Sequence, residues 1–210
     1  MPNTPAELQE QGIDLFLRHD YEAAADLFRQ AQAGYTAEGR RDMAAEMQVN
    51  LGLIDRQLGN YDTAIQLMTE ARQVFADIQD RSREAQVIGN LGGVYLAQGN
   101  VEQAQTLYRE AADTFLELDD KERYGQTLLA IADIQFRAGK LMQAAATYEI
   151  ALDNISEPNF RQKLMKQLLA VKNRLVGGGA PEDEEKSAEK EDAGQVTTSS
   201  PDESRPGEQR

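Results

Sequence analysis

The chain has 210 residues and sets 36 Asp plus Glu against 22 Lys plus Arg, for a formal net charge of −14. Such a surplus of carboxylates argues against a nucleic-acid partner, because phosphate binding needs clustered cations. The absence of Cys excludes disulfides and thiolate metal sites, and no apolar run approaches the roughly 18 residues that span a bilayer. The first residues, Met1 to Glu7, lack a basic stretch followed by an apolar one, so no secretory signal is visible and a cytoplasmic protein with no membrane partner is expected.

Taken in chain order, the first element is announced by Thr4-Pro5-Ala6-Glu7, a capping box with Pro at the first helical position. Thereafter the chain repeats itself. His19-Asp20, Gly59-Asn60, Gly99-Asn100 and Gly139-Lys140 recur every 40 residues, and small residues recur in step with them. Gly12, Gly52, Gly92 and Ala132 precede these turns, Ala24, Ala64, Ala104 and Ala144 follow, and Ala31, Ala71, Ala111 and Ala151 come seven residues later. So many Ala and Gly at one period mark a true internal repeat.

Each copy reads as two helices. In the third, Val87, Ile88, Leu91, Val94 and Tyr95 recur at helical spacing. After Gly99-Asn100 the pattern restarts with Val101, Ala104, Leu107, Tyr108, Ala111, Phe115 and Leu118. Gly supplies the left-handed residue that ends the first helix, and Asn can cap the second through its side-chain oxygen. The small residues mark places where two helix axes cross too closely for a larger side chain.

These residues give the chain its likeness to a known family. It resembles a tetratricopeptide repeat array, with small residues at the eighth, twentieth and twenty-seventh places of each copy. A large residue, Phe28, Met68, Tyr108 or Tyr148, stands three before the last of them. The period exceeds the usual 34, and the longer form is similar to repeats of the kinesin light chain and G-protein signalling modulator families. The six extra residues are expected to lengthen both helices and the loop between copies. The resemblance implies an all-α, right-handed α-solenoid of four helix-turn-helix repeats, at about 5–42, 43–82, 83–122 and 123–158, plus a C-terminal capping helix over 159–176.

The capping helix carries an apolar stripe, Leu164, Leu168, Val171 and Leu175, and basic residues that include Lys163 and Lys166. From Gly177 to Arg210, ten acids against four bases leave −6, with no aromatic, Leu or Ile. Such a segment buries too little apolar surface to offset the entropy of ordering, so an acidic disordered tail is expected.

Chemistry is sparse. His19, the one histidine, sits in the degenerate first turn and reads as a helix-ending residue in place of Gly. Asp119-Asp120 falls between copies and reads as solvated. Gly177-Gly178-Gly179 follows a helix instead of preceding one, so it is no phosphate loop. No catalytic constellation, metal site or cofactor site is expected, and an enzyme is disfavoured.

The resemblance instead points to the inner face of the first helices as a concave groove. Its candidate residues are Asn50, Leu53 and Arg56 in the second copy, Gln86, Asn90 and Leu96 in the third, and Leu129 and Phe136 in the fourth. The face is near neutral overall and hollow at Gly89 and Gly93. The first copy supplies Gln9 and Ile13 where chaperone-tail-binding relatives carry a Lys and Asn clamp, so that role is disfavoured. In relatives with long repeats, an Asn at the place of Asn50 and Asn90 holds ligand main chain. The expected function is a non-catalytic scaffold for a protein or peptide partner, extended or helical. A self-assembling homo-oligomeric module and a regulatory subunit of an enzyme complex are the alternatives.

Overall fold

The computed structural model describes residues 3–156 and, beyond them, 162, 163, 165, 166 and 169. Eight helices fill the first stretch: α1 (Pro5–Leu17), α2 (Tyr21–Ala37), α3 (Arg41–Leu58), α4 (Tyr61–Asp77), α5 (Arg81–Gln98), α6 (Val101–Glu117), α7 (Lys121–Arg137) and α8 (Leu141–Asn154). The described residues contain no strand and no helix long and apolar enough to cross a membrane. Each helix packs on its neighbours in the chain, and α3 also touches α5, so the fold is an all-α solenoid of four helix pairs.

An 18-residue helix, a two-residue turn, a 17-residue helix and a three-residue turn fill each of the second and third periods. The extra residues therefore lie in the helices, and the expected lengthening of the loop between copies is absent. Those short turns close because their middle residue adopts the left-handed region, Gly39 in the first (φ 71°) but Gln79 (φ 59°) and Asp119 (φ 54°) in the others. His19 does the same within the first copy (φ 63°), in the role that Gly59 and Gly99 play in the next two.

Side-chain capping fixes where the helices start. Thr4 accepts from the Glu7 amide while Glu7 accepts from the Thr4 amide, which completes the capping box. Asn100 Oδ1 accepts from the Gln103 amide at 3.2 Å. Asn60 makes no such bond, and its Nδ2 donates instead to Asp55 Oδ1 at 3.0 Å. The Asp119-Asp120 pair is only half solvated: Asp120 Oδ1 accepts from the Arg123 amide at 3.0 Å and caps α7. Asp80 caps α5 in the same way, from the Arg83 amide at 2.9 Å.

The repeated small residues are all buried, and the space they leave is filled across the pair. A methyl at Gly12 would stand 2.7 Å from Phe28 Cε1, at Gly52 3.0 Å from Met68 Cγ, and at Gly92 3.2 Å from the Tyr108 ring. In the first three copies the large residue thus lies over the small residue of the first helix, and neither can change size alone. A further small column runs through the fifth place of α3, α5 and α7, with Ala45, Ala85 and Gly125 buried there. In the first copy Pro5 takes that place, and its partner across the pair is Gly34, where a methyl would stand 2.5 Å from Pro5 Cγ.

Beyond α8, Leu169 is buried, and Lys166 Nζ lies 2.8 Å from Asp153 Oδ1 and 3.3 Å from the Leu152 carbonyl oxygen. The expected apolar stripe of Leu164, Leu168, Val171 and Leu175, and the acidic segment 177–210, lie outside the described residues.

Candidate interaction groove

Because the first helices of successive copies lie side by side, residues 40 apart present the same face to solvent. Two cavities open on that face. One, of about 440 Å³, is lined by Glu46, Val49, Asn50, Leu53, Phe75, Arg83, Gln86, Val87, Asn90 and Arg123. The other, of about 320 Å³, is lined by Arg56, Gln86, Gly89, Asn90, Tyr108, Phe115, Arg123, Gln126, Thr127 and Ala130.

Five of the residues singled out in the sequence therefore come together. Asn50 and Leu53 line the first cavity, Arg56 the second, and Gln86 and Asn90 both. Leu96 and Leu129 are half-buried, and Phe136 is 59% exposed; none of the three lines either cavity.

Asn50 and Asn90 have half-buried side chains that hydrogen-bond to no other described residue, and no buried side-chain polar atom there lacks a partner. Their amides are thus open to water, with donors and an acceptor unspent. At the other end of the face the groups are used internally: Tyr35 hydroxyl donates to Gln9 Oε1 at 2.7 Å, and Gln9 Nε2 donates to Glu46 Oε1 at 3.0 Å.

The expected hollow at Gly93 is occupied. A methyl there would come within 2.7 Å of Arg56 Nη1 and 3.3 Å of the Tyr108 hydroxyl, so the glycine makes room for the guanidinium. Burial pushes the Tyr108 hydroxyl above its ordinary pKa, against the opposing charge of Arg56. Gly89 does remain open, with only the Ala111 methyl as close as 3.8 Å to a Cβ placed there.

Arg83, Arg123 and Phe75 also line these cavities and were not singled out from the sequence. Arg83 lies over the Phe75 ring, 4.9 Å from its centroid. It is held by Asp80 at 2.6 Å, Asp42 at 3.2 Å and Glu46 at 3.9 Å. Burial alone would lower the pKa of Arg83, but the hydrogen bonds it donates to Asp80 and Asp42 raise it, so its charge is fixed. Arg123 repeats the pattern with Asp120. The signal for both was present, since Asp80-Arg81-Ser82-Arg83 and Asp120-Lys121-Glu122-Arg123 are 40 residues apart. Among the described residues, no three His, Asp or Glu side chains gather as a metal site.

Two family profiles described as tetratricopeptide repeat match the chain, one over residues 10–82 and the other over 81–156. The chain belongs to the tetratricopeptide repeat family. Tetratricopeptide repeats are in general non-catalytic protein-interaction modules. No curated protein sequence matches this chain. Among solved structures, the tetratricopeptide array is similar to BtubC (BKLC) from P. vanneervenii, at 16% identity and a TM-score of 0.64, over 93% of this chain and 87% of that one. It is also similar to the apo form of RapI (12% identity, TM-score 0.64, 83% of this chain and 50% of that one). NprR in complex with its cognate peptide NprX is a third such structure, at 16% identity and a TM-score of 0.62, over 84% of this chain and 54% of that one. The chain spans about half the length of RapI and NprR. At these identities the likeness is one of fold.

Proposed function

We propose that the array is a non-catalytic scaffold that holds an extended peptide across α3 and α5. The observation that carries this reading is the pair Asn50 and Asn90: equivalent places on adjacent helices, one shared cavity, and amides without a partner among the described residues. An Asn amide matches the alternating N–H and C=O of an extended main chain, and two in register fix its direction. Val49, Leu53 and Phe75 line the same cavity and offer an apolar seat for one side chain of the ligand. The similarity of the fold to NprR, solved with a peptide, supports the choice of ligand class.

The test uses peptides selected from a random displayed library against the full chain, with affinity read by fluorescence anisotropy. Replacing both Asn50 and Asn90 with Ala is expected to weaken binding by about 1–3 kcal/mol, the loss of two net hydrogen bonds. The melting temperature should stay unchanged, since neither amide bonds to the framework. Equal affinity in the double variant, or a large loss of stability, would assign these residues to the framework instead.

A further inference from the structure

The second cavity differs in charge from the protein around it. Its lining holds two arginines, Arg56 and Arg123, and no carboxylate, in a chain of formal net charge −14. Arg83, in the neighbouring cavity, is neutralised by three acids. Arg56 is not: it forms no ion pair with any described residue. Nor does its guanidinium turn away to solvent, because it lies in the notch at Gly93 beside the Tyr108 hydroxyl. Arg123 has a single carboxylate partner, Asp120, which does not line the cavity. A half-buried guanidinium with its donors unspent favours a carboxylate, which it binds through charge-assisted hydrogen bonds. A Lys or Arg of the ligand would meet two like charges there.

From this charge, and resting on the peptide reading above, we infer that the bound peptide carries an internal Asp or Glu side chain that docks at Arg56 and Arg123. Asn90 lines both cavities, so a main chain held at Asn50 and Asn90 delivers side chains into each. The second cavity is open to solvent, so a bound peptide need not end there. The ligand class is therefore an acidic peptide, with an apolar residue over Val49, Leu53 and Phe75 and its carboxylate further along the groove.

The experiment selects binders of the full chain from two random peptide libraries, one tethered through the peptide C-terminus and one with that terminus free. Asp and Glu should be enriched in the tethered library. Affinity of the leading peptide should fall at least about tenfold in Arg56→Gln, less in Arg56→Lys, and again in Arg123→Gln, with the melting temperature of each variant measured to separate lost binding from lost folding. Arg72→Gln, whose ion pairs with Glu84 and Glu110 lie away from the cavities, should bind as the parent does. Binding should weaken with added salt. Binders that depend on Asn50 and Asn90 but show no acidic enrichment and no loss in Arg56→Gln or Arg123→Gln would overturn this inference and leave the peptide groove standing. Binders confined to the free-terminus library would overturn it in favour of a terminal carboxylate. A selection with no binder sensitive to the asparagines would overturn both.

Discussion

Replacing Gly125 with Ala and, separately, Gly89 with Ala sets two identical helical substitutions against opposite surroundings. At Gly125 the new methyl would stand 2.8 Å from the Ala151 carbonyl oxygen, 2.9 Å from Ile155 Cγ1 and 3.3 Å from Asn154 Cβ. The nearest of these atoms is backbone within α8, so no rotamer change relieves the contact, and α7 and α8 must move apart. Overpacking of this kind costs about 1–3 kcal/mol, while Ala in a helix interior returns about 0.5–1 kcal/mol over Gly. The net expectation is a loss of about 0.5–2 kcal/mol. At Gly89 the methyl would meet only the Ala111 methyl at 3.8 Å, an ordinary contact, so the propensity gain stands nearly alone. Urea unfolding followed by far-ultraviolet circular dichroism should move the midpoint down for Gly125→Ala and up for Gly89→Ala. Two shifts of the same sign would show that the α7–α8 crossing is not as close as described.

Acidification probes the caps. Burial alone would raise the carboxyls of Asp80 and Asp120, but hydrogen bonds from the amide and guanidinium of Arg83 and Arg123 hold both below the ordinary value of 3.8. A folded pKa below the unfolded one contributes stability that is present above the unfolded value and lost as pH falls through the folded one. Melting temperature should therefore drop as pH falls below that ordinary value, and the Asp80→Asn, Asp120→Asn double variant, which keeps a capping oxygen, should flatten this drop; an unaltered profile would remove the caps from the account. A chain ending at Val176 is expected to keep its stability and solubility, whereas one ending before Phe160, which loses the buried Leu169 and the Lys166–Asp153 contact, should aggregate. Equal behaviour in sedimentation and thermal melting would deny residues 160–176 a capping role.

What the sequence made legible was the part of the fold recorded by local size. Gly52 opposite Met68 and Gly92 opposite Tyr108 are steric pairs, so close helix crossing leaves Ala and Gly at a fixed period. Turn length was less legible, because Gln79 and Asp119 adopt the left-handed conformation without the glycine that usually marks it. The groove was half legible. Asn50 and Asn90 follow from register alone, but Arg83 and Arg123 enter from the first turns of their helices through three-dimensional stacking. The filling of Gly93 depends on where one long side chain, Arg56, comes to rest. Leu96, Leu129 and Phe136 share the nominal register yet line neither of the two cavities, since equal register places a residue on a face and does not enclose it.

The side-chain amide protons of Asn50 and Asn90, observed by NMR in the nitrogen-labelled chain, offer the most direct measurement. Titration with a selected peptide should shift both sets of resonances along one saturable curve, together with backbone signals of α3 and α5. Among the second helices, signals of α2, and those of α4 and α6 away from Phe75, Tyr108 and Phe115, should move little. Saturable shifts confined to those second helices, with the two asparagine amides unmoved, would contradict a peptide held in the groove.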